Sequence, residues 1–214
     1  MHGRAVEVRR SQAGWIAGAA AAVFLTIGGI TYAVAEDGRS DAAVPAADSA
    51  DAGFARDMAV HHQQAVEMSY IVRDRTDDED VRRLAYDIAQ TQANQRGMML
   101  GWLDLWALPK VSSEPMAWMG MGGMAAGEDG ALMPGMATDT EMDKLAKLDG
   151  EEAEVFFLQL MTDHHKGGIH MAQSCVQQCR VDVEKRLAQG MVDAQQSEIG
   201  LMADLLKQRG AAPR

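Results

Sequence analysis

Beyond residue 50 the apolar positions recur at helical spacing. Phe54, Met58, His61, Ala65, Met68 and Val72 form one stripe of a helix predicted over about Ala52–Asp74. A second helix is expected to open at Thr76-x-x-Glu79, a capping-box pattern, and to run to about Trp106 with Val81, Leu84, Ile88, Met99 and Trp102 inward. Only Arg75 to Asp78 separates the two, so they must pair antiparallel. A third helix is predicted from Asp149-x-x-Glu152 to about Gln178 and a fourth from Asp182 to about Gln208. Two αα-hairpins with one apolar stripe each bury those stripes best against one another. The expected fold is therefore all-α, a four-helix bundle over residues 52–208.

The two hairpins are copies. Phe54, Met58, His61, His62, Ala65 and Met68 recur 103 residues later as Phe157, Met161, His164, His165, Gly168 and Met171. The same offset carries Leu84, Gln92, Met99 and Leu103 onto Leu187, Gln195, Met202 and Leu206 without a gap. Five of the six histidines lie in or beside the repeated motifs.

The N-terminus follows a different pattern. Residues 15–35 contain no charged side chain, a stretch about long enough to cross a bilayer, and follow Arg4, Arg9 and Arg10 in residues 1–14. The positive-inside bias places residues 1–14 in the cytoplasm and everything beyond residue 36 outside, as a single-pass cell-membrane protein. The competing reading is a secretory signal cleaved after Ala35, because Ala33-Val34-Ala35 is an A-x-A site. Residues 36–51, rich in Ala, Asp and Ser, read as a flexible spacer.

Composition adds charge and sulfur to this outline. Removing the first 35 residues leaves 17 basic against 30 acidic residues, a net charge of −13, which excludes a phosphate backbone as partner and suits cations. No nucleic-acid role is expected. There are sixteen methionines, more than a core of this size ordinarily uses. Seven lie in the long connection 107–148, among Gly, Pro and Ala: Met116, Met119, Met121, Met124, Met133, Met136 and Met142. Spacings such as Met116-x-x-Met119 and Met133-x-x-Met136 let a loop wrap two or three thioethers around one Cu(I), or pack them over the end of the bundle.

At about 100° per residue, Met58, His61, Ala65 and Met68 share one helix face, with His62 a quarter turn away. Met161, His164, Gly168 and Met171 repeat that face, extended by Cys175, while His165 is offset like His62. Imidazole accepts Cu(II), Cu(I) or Zn(II), whereas neutral thioether selects Cu(I). Each motif also fits an ordinary core in which the imidazoles are hydrogen-bonded, with Gln92, Gln195, Gln95 and Glu198 as candidate partners. Cys175 and Cys179, four residues apart in an oxidising compartment, leave a disulfide and free thiols both open. A di-iron oxygenase is not expected, because no inward Glu-x-x-His and no set of four bridging carboxylates is present.

The run Phe54-x3-Met58-x2-His61-His62-Gln63-Gln64-Ala65-x2-Met68, its second copy and Gln195-x2-Glu198-Ile199-x2-Met202 resemble the signature of the domain-of-unknown-function 305 family over about residues 52–208. That resemblance implies a ferritin-like four-helix fold, extracytoplasmic placement and copper binding linked to copper tolerance. By position it makes Met58, His61, His62 and Met68, with Met161, His164, His165 and Met171, candidate ligands. The chain departs from the pattern where Gln95 stands opposite Glu198 and where Asp163 replaces a frequent Pro. The expectation is a membrane-anchored, exported copper-binding bundle. It would buffer, sequester or deliver copper as Cu(I) first and Cu(II) second, with a copper transporter or another copper protein as partner and no catalytic residues. The alternative is a structural or partner-binding bundle without metal; less expected is a metal-dependent redox enzyme.

Overall fold

The computed structural model describes residues 44–122 and 129–214. The predicted anchor or signal at 15–35 and Met124 lie outside the described residues. Among the described residues no helix is long and apolar enough to cross a membrane.

Five α-helices and one 3₁₀ turn, with no strand, make up the described residues: α1 Ala50–Arg73, α2 Glu79–Leu105, the 3₁₀ turn Ala117–Met119, α3 Asp139–Leu145, α4 Gly150–Gln178 and α5 Asp182–Gln208. Helices α1 and α2 pack as one hairpin, α4 and α5 as the other, and α1 joins the two by packing on α4. The result is a helical bundle.

The helix starts follow local chemistry. Ser49 caps α1 by accepting from the Ala52 N–H, so the predicted spacer ends at Ser49 and Asp51 is a buried helical residue. The predicted capping box at Thr76 and Glu79 is not formed. Asp78 caps α2 instead, accepting from Asp80 and Val81 N–H, because the Thr76 hydroxyl already accepts from Asp78 N–H and donates to Glu154. Arg209 bonds the same Glu154 at 2.6 Å and pairs with Asp78 at 3.0 Å. One end of the bundle is thus locked across both hairpins.

The core is two apolar clusters separated by a polar layer. One cluster holds Met68, Leu84, Ile88, Phe157, Met161, Met202 and Leu206; the other holds Phe54, Met58, Met99, Leu103, Met171 and Met191. On every long helix the residues between the clusters are polar: His61 and His62 on α1, Gln92 and Gln95 on α2, His164 and His165 on α4, Gln195 and Glu198 on α5. A bundle of this size needs no such layer for stability, and desolvating these groups costs free energy.

The connection 107–148 is structured in its described parts. It contains α3, whose Thr138 and Glu141 make a reciprocal capping box. Two side chains of α1 clip it down. Asp57 accepts from Met116 N–H at 2.8 Å and Trp118 Nε1–H at 2.9 Å, and the Gln64 amide makes paired bonds to the N–H and C=O of Ala137, at 2.7 and 2.8 Å. Gly53 makes room for the Trp118 ring, since any Cβ there would overlap it. We refer to residues 116–122 and 129–137 as the strap.

Candidate metal centre

The four motif histidines are all fully buried in the polar layer. His61 and His164 meet where α1 crosses α4, with ring centroids 3.7 Å apart and planes tilted by 32°. His164 Nε2 lies 2.9 Å from the His61 carbonyl oxygen. His62 turns to α2, its Nε2 2.8 Å from Gln95 Oε1, and His165 turns to α5, its Nε2 2.6 Å from Glu198 Oε2. The satisfying partners are therefore Gln95 and Glu198. Gln92 bonds through neither of its amide atoms, and Gln195 Oε1 is likewise without a partner.

These bonds fix the tautomers. Carbonyl and carboxylate oxygens only accept, so Nε2 carries the hydrogen on His62, His164 and His165. Nδ1 on His62 and His164 is then a lone pair, and Nδ1 of all three rings is buried and without a hydrogen-bond partner. His61 has no hydrogen bond through either nitrogen.

His61, His62 and His164 are held neutral. Burial pushes His61 down to about 3, helped by the neighbouring His62 and His165, while the backbone of Pro134 pulls weakly the other way. Burial likewise lowers His62 to about 4 against the opposing bond to Gln95. His164 is lowered well below 6.5, first by burial and then by His61, His165 and His62. At neutral pH these are lone-pair donors with no proton to displace.

The thioethers surround this layer but are redistributed by packing. Met58, Met68, Met161 and Met171 are all fully buried. Met58 of the first copy lies in one apolar cluster with Met171 of the second, and Met68 with Met161 in the other. Antiparallel crossing of α1 and α4 thus exchanges partners between the copies. Met116 and Met133 of the strap are buried in the Met58–Met171 cluster, and Met119, Met121 and Met136 pack against it half-buried. Among the described residues, the strap methionines pack into or against this one cluster and add their sulfurs to its thioethers.

One predicted ligand is corrected. Cys175 and Cys179 form a disulfide, with Cα atoms 4.8 Å apart, so Cys175 offers no thiolate in this state. The bond is possible because α4 ends between them: Cys179 is the C-cap, with φ −62° and ψ 151°, off the helix. The four imidazoles do not converge on one point. Among the described residues the one trio of His, Cys, Asp or Glu whose ligand atoms lie within 4.8 Å is Cys175, Cys179 and Glu184. A metal at the polar layer would draw on imidazole in small numbers and complete its shell with thioether. The donors present fit a soft or borderline cation: neutral imidazole lone pairs oriented from behind by amide and carboxylate, beside uncharged sulfur.

Three kinds of residue escaped the sequence reading. Asp57 and Gln64 clip the strap with no local pattern to announce it. Gly167 lets the strap cross α4, since a Cβ there would overlap the Pro134 carbonyl. Helix α3 carries the legible signature Thr138-x-x-Glu141.

Known proteins share this fold. The profile of DUF305, a domain of unknown function, matches residues 51–206. A DUF305 protein of Streptomyces coelicolor, assigned as secreted, is 75% identical, with a TM-score of 0.74 over 79% of this chain and 99% of that one. A DUF305 fragment from Deinococcus radiodurans is 30% identical, with a TM-score of 0.61 over 74% of this chain and 96% of that one. CopM in its Cu(I)-bound form shares the fold at 21% identity, with a TM-score of 0.57 over 74% of this chain and 96% of that one. No curated protein matches the chain.

Proposed function

The chain belongs to the DUF305 family, and from that premise we propose that it is an exported copper-binding protein of ferritin-like four-helix architecture, held at the cell membrane by residues 15–35. It binds copper through imidazole and thioether to buffer, sequester or hand on the ion to a copper transporter or another copper protein, and it is not an enzyme. The observation that carries the reading is the trio of buried Nδ1 atoms on His62, His164 and His165, none with a hydrogen-bond partner and each backed by a hydrogen bond through the opposite ring nitrogen. Packing alone gives no return for burying them unpartnered.

Support comes from two sides. CopM, of the same fold, is known with Cu(I), Cu(II) and silver bound. The donor set here matches that preference, because thioether favours Cu(I) and silver while imidazole also accepts Cu(II). The ligands on this reading are His61, His62, His164 and His165 with Met58, Met68, Met161 and Met171, and the thioethers of the connection 107–148, Met116, Met119, Met121, Met124, Met133 and Met136, contribute further sulfur.

Anaerobic titration with Cu(I) against a competing chelator tests the reading. Binding tighter than micromolar is expected, and its loss in His62→Ala/His165→Ala would place it at the polar layer. Weaker binding in the intact protein would sink the proposal. Fractionation tests the anchor: the full chain should sediment with membranes and a chain starting at residue 36 should not.

A further inference from the structure

Cys175 and Cys179 end α4, and Glu184 projects from the first turn of α5 onto them. One ligand atom from each lies within 4.8 Å of the others, and all three residues are buried. Glu184 is fully buried, and no N–H group bonds its carboxyl oxygens. Its acidic neighbour Asp51 accepts from the N–H groups of Arg180 and Val181 through one oxygen, Oδ1, at 2.8 and 2.7 Å. Burial, then the charge of Asp51 and a side-chain hydrogen bond to it, push the Glu184 carboxyl up to about 9, so it sits there as the neutral acid. A buried acid whose one polar neighbour is a second carboxyl group has little structural return in the oxidised protein.

We propose that reduction of the Cys175–Cys179 disulfide converts this cluster into a Zn(II) site whose donors are the two cysteine thiolates and the Glu184 carboxylate. The site is separate from the polar layer and does not rest on the copper reading. While the sulfurs are covalently joined, neither is a thiolate. A dithiol reductant supplies two electrons and two protons, leaves as its own disulfide, and frees two thiols that move apart to nonbonded contact. Tetrahedral zinc with Zn–S bonds of about 2.3 Å requires thiolates about 3.8 Å apart, which that separation provides. Cys179 lies beyond the last helical residue and is able to adjust without unwinding α4. Zn(II) then displaces three protons to solvent, two from the thiols and one from Glu184.

Charge selects the ion. Two thiolates and a carboxylate leave a net −1 around Zn(II) and −2 around Cu(I), next to the carboxyl group of Asp51 in a buried setting, where excess charge is costly. Carboxylate oxygen is also an ordinary zinc ligand and a poor one for Cu(I). Oxidation closes the site, so metal occupancy here follows redox state.

The full chain, purified in mild detergent, is titrated with zinc chloride against a chromophoric chelator, once oxidised and once after treatment with a trialkylphosphine. The phosphine takes up one oxygen from water as it reduces the disulfide. Reduced protein should bind one more equivalent of zinc than oxidised protein, and Cys175→Ser/Cys179→Ser should show no such gain. Glu184→Gln should weaken the added site by at least about tenfold, the loss that removing even an outer-shell partner causes. No added equivalent on reduction, or loss of helical circular dichroism on reduction, overturns the proposal. So does an added site that Glu184→Gln leaves unchanged, or one that takes Cu(I) and not zinc. Failure of the oxidised protein to bind copper would count against the polar-layer reading and leave this difference untouched.

Discussion

His164 donates its Nε2 hydrogen to the main-chain carbonyl of His61, 2.9 Å away, while the two rings stack at 3.7 Å. The residues are equivalents in the repeat, so the contact lies where the two copies meet. It is not reciprocated, since His61 bonds to nothing through its ring. The strap is the source of the difference. Its Pro134 lies beside the His61 ring in the first copy, whereas in the second it meets the backbone at Gly167, so the two copies face the same loop residue differently. A duplicated sequence has thereby become two unequal environments.

The buried rings make stability depend on pH with a definite sign. His61 and His62 titrate near 3 and 4 when folded and His164 well below 6.5, against 6.5 when unfolded. The unfolded chain therefore binds protons that the folded one refuses, and the contribution present above pH 6.5 is lost as pH falls toward about 4. Each ring contributes up to about 1.4 kcal/mol per pH unit in that window. Glu184, raised to about 9, acts oppositely, its contribution fading as pH rises from 4.5 to about 9, and the raised Asp57 acts in the same direction. Three rings outweigh Glu184 on the acid side and Glu184 prevails on the alkaline side. Urea midpoints should peak near neutrality and fall steeply by pH 5. A midpoint that is flat from pH 5 to 7 would contradict neutral burial of the histidines.

The pair His165–Glu198 and its counterpart His62–Gln95 differ by one charge at the same hydrogen bond. A carboxylate behind an imidazole makes the opposite nitrogen a stronger base and a stronger ligand than an amide does. On the copper reading, Glu198→Gln should weaken the tighter site by about tenfold to a hundredfold. Gln95→Glu should strengthen the weaker one. Competition titrations that show both sites unmoved by either change would remove these residues from any part in metal binding.

Much of this was legible because the repeat and the helical period reinforce each other. The fourth long helix spans Asp182–Gln208 as its pattern predicts, and α1 begins two residues before the apolar stripe suggests. The polar layer was legible too, since His-His recurs and Gln95 and Glu198 occupy matched positions. What was hidden depends on contacts distant in sequence. Asp57 reaches a residue 59 positions away and Gln64 one 73 positions away, and neither spacing leaves a periodic trace. The cysteine pair was ambiguous for a local reason. Its bonding depends on where α4 stops, and a helix end is where sequence patterns are least decisive.

Glycines separate tight crossings from idle ones. A Cβ at Gly167 would overlap the Pro134 carbonyl, a backbone group that moves only if the strap moves. Gly190 and Gly200, within α5, have nothing within 4 Å of such a Cβ. Gly167→Ala should lower stability by about 1–3 kcal/mol. Gly190→Ala and Gly200→Ala should each raise it by about 0.5–1 kcal/mol, since alanine restricts the unfolded chain and suits the helix. Thermal denaturation checks all three.

The last prediction concerns how an ion reaches the four fully buried histidines. Asp57 and Gln64 lie on α1 on either side of His61 and His62, and each holds one end of the strap. Removing a clip leaves strap backbone groups without partners in the closed position, which favours the open one by about 1–3 kcal/mol. Asp57 holds two strap donors, Met116 N–H and Trp118 Nε1–H, and Gln64 holds both main-chain groups of Ala137. Strap opening should therefore become more frequent while the histidines and their partners on α2 and α5 stay in place. On the copper reading, Asp57→Ala and Gln64→Ala should speed both uptake and release of Cu(I) in stopped-flow chelator exchange by about fivefold or more, with affinity changing less than either rate. Rates that stay at the wild-type value would mean that copper reaches the layer by a path the strap does not cover.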